Sequence, residues 1–279
     1  MRPTPALSSL VDLALQEDLG AGDLTSEALF PARATGQAVF LAKQEMVVAG
    51  LEPAAAVFWR LDERCRFRPS VREGTRVRPG RVLAHLSGPL RSLLAGERTA
   101  LNFLRHLSGV ATLTARFVRE LRGTGCTLLD TRKTTPGMRA LEKSAVRAGG
   151  GTNHRLGLFD GVMLKDNHIA AAGSIRRALR QARRRIGPMV KIEVEATRLS
   201  QVRQALAAGA DVIMLDNMSV PQVRRAVALV GGKAKTEASG RLDLARIRAY
   251  ARTGVDYLSV GALTHSAPSV DISMELRRR

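Results

Sequence analysis

Gly209-Ala210-Asp211-Val212-Ile213-Met214-Leu215-Asp216 and Gly254-Val255-Asp256-Tyr257-Leu258-Ser259-Val260-Gly261 are two versions of one sequence word, 45 residues apart. Each runs from glycine through a small apolar residue and aspartate into a short aliphatic stretch. Such a stretch, bounded by turn residues, reads as a buried strand. A third echo is Asp166-Asn167 after Met163-Leu164-Lys165, matched by Asp216-Asn217 after Met214-Leu215.

The surrounding chain keeps the same rhythm. Strands are predicted at Thr127–Asp130, Gly161–Lys165, Met189–Glu195, Val212–Asp216, Lys233–Ala238 and Tyr257–Val260. Amphipathic helices are predicted at Met138–Ala148, Ile175–Arg185, Leu199–Ala208, Pro221–Val230 and Leu244–Ala251. Strand–helix alternation implies a mostly parallel sheet. Repeated units suit a β/α barrel better than a doubly wound sheet, and no glycine-rich loop has Rossmann or Walker spacing.

Polar residues fall at the ends of these strands. Arg132 and Lys133 follow the first, Lys165 closes the second and Glu195 the third. Asp216 closes the fourth, Ser239-Gly240 follows the fifth and Gly261 the sixth. The C-terminal strand ends of a β/α barrel share one mouth, so separate strands deliver these groups to one place. That coincidence points to an enzyme.

The cationic part is dense: Arg132, Lys133, His154, Arg155, Lys165 and His168 lie within about 40 residues, with glycines at the corners between them. Arginine forks bind carboxylates and phosphates bidentately, and glycine lets backbone approach a ligand. Glu195 and Asp216 form an acidic zone suited to Mg²⁺ on a polyphosphate or to a cationic transition state. Ser239-Gly240 suits a terminal phosphate. Plainer readings stand beside these. Arg132-Lys133 also fits a surface pair, His154 a backbone-bonded side chain, and Glu195 with Asp216 a structural ion pair with Lys191 or Lys233. Lys165, closing an apolar strand, needs an anionic partner or a functional reason.

The N-terminal part has a different pattern. Leu7 to Glu17 has helical spacing, closed by Gly20 and Gly22, and Asp18 to Thr25 reads as a compact acidic turn. Pro53–Leu61 reads as a helix and Arg66–Arg72 as a strand. Glu73 to Leu86 reads as two short strands, around Val77 and from Val82, flanked by glycine turns. This looks like a biotinyl or lipoyl carrier, but no lysine occurs between Gly50 and Leu121 to carry the group. Leu90–Gly109 and Val110–Arg122 read as successive helices, with a domain boundary near 107–112.

Two cysteines, Cys65 and Cys126, offer neither a disulfide framework nor metal-ligand spacing, so a reducing, cytoplasmic setting is expected. No apolar run approaches a membrane span, and Met1–Leu10 does not read as a signal peptide. The net charge is +19, from 44 Lys and Arg against 25 Asp and Glu. A nucleic-acid partner would explain it. The arginines are scattered through every segment, however, and Arg183-Arg184-Arg185 and Arg277-Arg278-Arg279 read as solvated faces, so none is expected. A basic protein also steers small anions.

Longer words carry a resemblance. Glu17-Asp18-Leu19-Gly20, Gly22-Asp23-Leu24-Thr25, Glu97-Arg98-Thr99-Ala100-Leu101-Asn102 and Thr131-Arg132-Lys133-Thr134-Thr135-Pro136-Gly137 resemble the quinolinate phosphoribosyltransferases. So do Gly149 through Arg155, Lys165-Asp166-Asn167-His168, Lys235-Thr236-Glu237-Ala238-Ser239-Gly240 and Gly261-Ala262-Leu263-Thr264-His265-Ser266. The resemblance runs from about residue 10 to residue 275.

It implies an N-terminal α/β sandwich domain, residues 1–109 with 267–279 packing back on it, and an incomplete, open α/β barrel of parallel strands, residues 110–266. It implies transfer from 5-phosphoribosyl-1-pyrophosphate (PRPP) to quinolinate with decarboxylation, in NAD synthesis, with Mg²⁺. Arg98, Arg132, His154, Arg155 and Lys165 would surround quinolinate, with Lys133 near both ligands. Glu195 and Asp216 would face ribose and magnesium, and Ser239, Gly240 and Gly261 the 5-phosphate. Lys133, Lys165, Glu195 and Asp216 would be the catalytic set. A homodimer, with further assembly into hexamers possible, would supply Arg98 from the neighbouring subunit. The nearest rival is a homologous transferase acting on another heteroaromatic acid.

Overall fold

The computed structural model describes residues 4–277. The expected basic end at Arg278-Arg279 and the first three residues lie outside them. Two compact units result: 4–113 with 136–150 and 267–277, and 114–135 with 151–266.

In the first unit, helix α1 (Pro5–Leu19) starts at Thr4, whose Oγ1 accepts from Leu7 N at 3.3 Å, and buries Leu7, Val11 and Leu15. The acidic turn read over 18–25 is only half a turn. Asp23 accepts from the backbone of Thr25 and Ser26, both at 3.1 Å, and opens α2 (Leu24–Leu29). An aspartate satisfying free N–H groups is a standard helix start. Next come β1 (Thr35–Ala42), β2 (Met46–Val47), α3 (Leu51–Leu61), β3 (Arg66–Pro69), β4 (Arg76–Val77) and β5 (Val82–Pro89).

β1, β5 and β3 are antiparallel neighbours, and a C-terminal strand, Ile272–Leu276, adds to the free side of β1. The strands read around Val77 and from Val82 are both present but do not pair with each other. Val77 pairs with Met46, and β5 lies between β1 and β3. Phe40, Phe58 and Phe67 meet in the core, with ring centroids 6.0–6.3 Å apart.

Helix α4 (Leu90–Glu120) is one helix where two were expected. Gly109 is there for closeness rather than for a turn. A Cβ at that position would stand 2.2 Å from the carbonyl oxygen of Pro268, so only glycine lets the returning C-terminal chain pass.

The second unit follows the predicted alternation. After β6 (Thr127–Leu129) and α5 (Arg139–Ala148, part of the first unit) come β7 (Val162–Leu164), α6 (Asp166–Ala172) and α7 (Ile175–Arg185). Then follow β8 (Ile192–Ala196), α8 (Leu199–Ala207), β9 (Val212–Asp216), α9 (Val220–Val230), β10 (Lys235–Ser239), α10 (Ile247–Ala251), β11 (Tyr257–Ser259) and α11 (Ala262–His265), before the chain returns to the first unit as β12 (Ile272–Leu276). Six parallel strands order as β6-β11-β10-β9-β8-β7, with β6 and β7 at the two edges. The sheet is therefore an open α/β barrel.

The repeated word has a physical reason. The Asp211 carboxylate accepts from Ile192 N at 2.6 Å, and Asp256 accepts from Thr236 N at 2.9 Å. Each aspartate precedes a strand and satisfies an N–H at the start of the strand beside it. The two words flank β10, so the 45-residue offset spans two β/α units.

Candidate active site

Side chains alternate along a strand, so residues two apart share the inner face. Met163 with Lys165, Met214 with Asp216, and Glu237 with Ser239 all line one cavity of about 270 Å³ in the second unit. Glu195 and Ser259 join them from β8 and β11. Thr131, Arg132 and Lys133 enter from the loop after β6, and His154 and Arg155 from the segment before β7. Of the predicted site residues, Arg132, Lys133, His154, Arg155, Lys165, Glu195, Asp216 and Ser239 therefore converge. Arg98 belongs to the first unit, exposed on α4 beside the buried Thr99.

The cationic side is locally fixed. Arg155 Nη1 donates to the carbonyl of Gly161 at 2.8 Å. Burial, then the nearby Arg132, hold its guanidinium below its ordinary value. Thr264 Oγ1 donates to the Lys133 carbonyl at 2.7 Å, tying that loop to α11. A Cβ on Gly261 would stand 3.1 Å from Lys133 Cδ, so Gly261 leaves room for the lysine side chain. His168, counted among the six cations, accepts the Lys165 N–H on Nδ1 at 3.0 Å and so serves the start of α6.

On the acidic side, Glu195 pairs with Lys165 at 3.3 Å. Lys191 and Lys233, its alternative partners from sequence, line a wider depression of about 760 Å³ among the strand starts. That depression is the larger of the two. It lacks convergent carboxylates, and its Lys235 is already paired with Asp256 at 2.6 Å. Asp216 Oδ2 accepts from Asn217 Nδ2 at 2.8 Å. Asn217 itself has φ 54°, and its N–H donates to the Ser239 carbonyl at 2.9 Å. Gly240 sits at φ +107°, where a Cβ would fall 2.3 Å from Asn217 Oδ1.

His154 is not simply backbone-bonded. Its Nε2 lies 3.1 Å from Glu193 and 3.3 Å from Glu237. Burial works against a charge on this ring, but hydrogen bonds to Glu193 and Glu237 outweigh it and push its pKa up to about 10. Burial also raises the Glu193 carboxyl. A proton is therefore held near neutral pH where Nε2 meets the two carboxylates. The Arg155 N–H donates to Nδ1 at 2.7 Å, which assigns that proton to the Nε2–carboxylate side.

Residues 110–275 match the quinolinate phosphoribosyl transferase C-terminal domain, and residues 23–108 its N-terminal domain. The chain belongs to the quinolinate phosphoribosyl transferase family.

Family relatives are similar along their whole length. A probable nicotinate-nucleotide pyrophosphorylase [carboxylating] of Bacillus subtilis is 48% identical over 270 residues, covering 97% of this chain and 93% of that protein. NadC from Streptococcus pyogenes is 42% identical, with a TM-score of 0.94 and 99% of each chain covered. The nicotinate-nucleotide pyrophosphorylase from Francisella tularensis is 39% identical, with a TM-score of 0.95, covering 99% of this chain and 98% of that one. The family's division between residues 108 and 110 falls inside α4, beside Gly109.

Glu193 and Glu237 were missed in the sequence. Glu193 stands two residues before Glu195, and Glu237 two before Ser239, so strand alternation was the available signal. Among the described residues, the His/Asp/Glu atoms that converge within 4.8 Å belong to His154, Glu193 and Glu237; the expected metal pair, Glu195 and Asp216, is not part of that group.

Proposed function

We propose that the protein transfers the phosphoribosyl group of PRPP to quinolinate with decarboxylation, giving nicotinate mononucleotide, pyrophosphate and CO₂ for NAD synthesis. The carrying observation is one barrel mouth, in a chain of this family, where Arg132, Lys133, Arg155 and Lys165 meet Glu195 and Asp216.

The pyridine nitrogen of quinolinate forms a bond to ribose C1, and the bond from C1 to the pyrophosphate oxygen breaks. The C2 carboxylate then leaves as CO₂ and a proton takes its place. The carbanion is stabilised within the substrate, beside a pyridinium nitrogen. The protein's work is alignment and charge placement.

Arg98, Arg132, His154, Arg155 and Lys165 are assigned to the quinolinate carboxylates, with Lys133 reaching both ligands. Glu195 and Asp216 face the ribose. Ser239, Gly240 and Gly261 hold the 5-phosphate, a reading supported by the φ of +107° at Gly240, a backbone that side-chain-bearing residues rarely adopt. Glu195 and Asp216 offer the hard oxygen donors that Mg²⁺ takes alongside substrate phosphates. When bound there, the ion would neutralise charge on the leaving pyrophosphate.

The working form is a homodimer that shares Arg98 between subunits, with hexamers as a further state. A cytoplasmic setting is supported by two free cysteines. Among the described residues no helix is long and apolar enough to cross a membrane.

The test is direct. With Mg²⁺, PRPP and quinolinate, the protein should form nicotinate mononucleotide and CO₂. Turnover of nicotinate or another heteroaromatic acid in place of quinolinate would reject the assignment.

A further inference from the structure

We propose that Glu193 and Glu237 are positioning residues for the quinolinate-binding half of the site, acting through the ring of His154. This rests on the proposed reaction for its choice of ligand.

Glu193 is 6% exposed and Glu237 is 1% exposed, and the Oε1 atom of each has no hydrogen-bond partner among the described residues. Two buried acids with unsatisfied oxygens weaken a fold. They also stand beside a pocket built for anions, so their field opposes the binding of a dicarboxylate. Neither stability nor charge complementarity accounts for them.

Geometry does. Both Oε2 atoms point at His154 Nε2, at 3.1 and 3.3 Å, from two different strands. The opposite ring nitrogen accepts the Arg155 N–H at 2.7 Å. The His154 N–H donates to Asp130 Oδ1 at 2.8 Å, and the Arg155 guanidinium donates to Gly161 O at 2.8 Å. The corner that delivers Arg155 to the pocket is thus held at each step, and the acid pair anchors its ring. An arginine binds a carboxylate well only when its fork is aimed before the ligand arrives. The same three side chains could be read as an ion seat. Both ring nitrogens are already engaged, however.

The two explanations predict opposite signs. If the acids are only nearby charges, removing one lowers the KM for quinolinate. If they position His154, removing one raises it. Glu237→Ala should raise the quinolinate KM about ten-fold or more, leave the PRPP KM within about two-fold and change kcat less than KM. Glu237→Gln retains an acceptor for Nε2–H and should recover most of the loss. In a His154→Ala background, Glu237→Ala should have little further effect, because its route is gone.

A lowered quinolinate KM, or equal effects of Glu237→Ala with and without His154, would overturn the proposal. If Glu237→Ala does not fold, Glu193→Gln with Glu237→Gln in one chain, assayed for both KM values, decides the same sign. Wild-type protein without activity on quinolinate would refute the proposed reaction instead. Quinolinate binding to wild type and variants by calorimetry then tests the positioning role alone: unchanged affinity in Glu237→Ala would reject it.

Discussion

Lys165 Nζ stands 3.3 Å from Glu195 Oε2, with the lysine side chain 48% exposed and the glutamate 15%. The two lie just past the paired residues Leu164 and Val194 of β7 and β8, so adjacent strand ends hold opposite charges at one level. The lysine gains a partner and stays open to solvent, which suits a group that must also meet an incoming anion. Lys165→Ala should therefore cut kcat/KM by about 2–5 kcal/mol, the scale of a lost charged contact in a site. The melting temperature should move little, since an exposed ion pair adds little stability. Steady-state kinetics beside thermal melting check both halves; a melting loss that matches the activity loss would make Lys165 structural.

Gly240→Ala tests the phosphate corner. The new Cβ would meet Asn217 Oδ1 at 2.3 Å and would need φ near +107°. A non-glycine residue there is strained by about 1–3 kcal/mol. Because Asn217 also holds Asp216, the displacement should reach the acidic side of the site. The expected result is a higher PRPP KM with quinolinate binding largely retained. A change confined to quinolinate would place the phosphate elsewhere.

The His154 cluster sets a pH dependence. Its folded pKa, about 10, is above the ordinary histidine value of 6.5, because the two carboxylates overcome burial. A group whose pKa is raised on folding contributes stability that is complete below the unfolded pKa and is lost as pH rises through the folded one. The stability advantage of wild type over His154→Gln should thus be full below pH 6.5 and shrink toward pH 10. Paired melting curves across that range give the measurement. An advantage that grows with pH would mean that no extra proton is held between Nε2 and its acids.

The barrel was legible because its strands are short aliphatic runs with polar ends, and Val212–Asp216 was read to the residue. Lys165, Glu195 and Asp216 were readable for the same reason: each closes a run. Glu193 and Glu237 were not, because their meaning is a contact with His154, 39 and 83 residues away along the chain. Local pattern carries no such partner. Gly109 misled in the opposite direction. A glycine at a helix corner and a glycine making room for Pro268 look alike until the C-terminal chain is in place. The short α2 escaped because six residues are too few to show helical periodicity, although its Asp23 cap was in view.

Arg98 carries the last prediction. It is exposed on α4 in the first unit, next to the buried Thr99 and Ala100, so its backbone is rigid while its side chain is open to solvent. A guanidinium on a fixed helix suits a site completed by a second copy of the chain. In a two-fold dimer with shared sites, Arg98→Ala and Lys165→Ala each disable both sites when alone. In a mixed dimer, one site collects both substitutions and the other collects neither. Random exchange makes about half the dimers mixed, so roughly a quarter of wild-type activity should return. Two differently tagged inactive variants, mixed and assayed after exchange is verified by co-purification, make the measurement. No recovery with exchange proven would mean that Arg98 serves its own chain or no site at all.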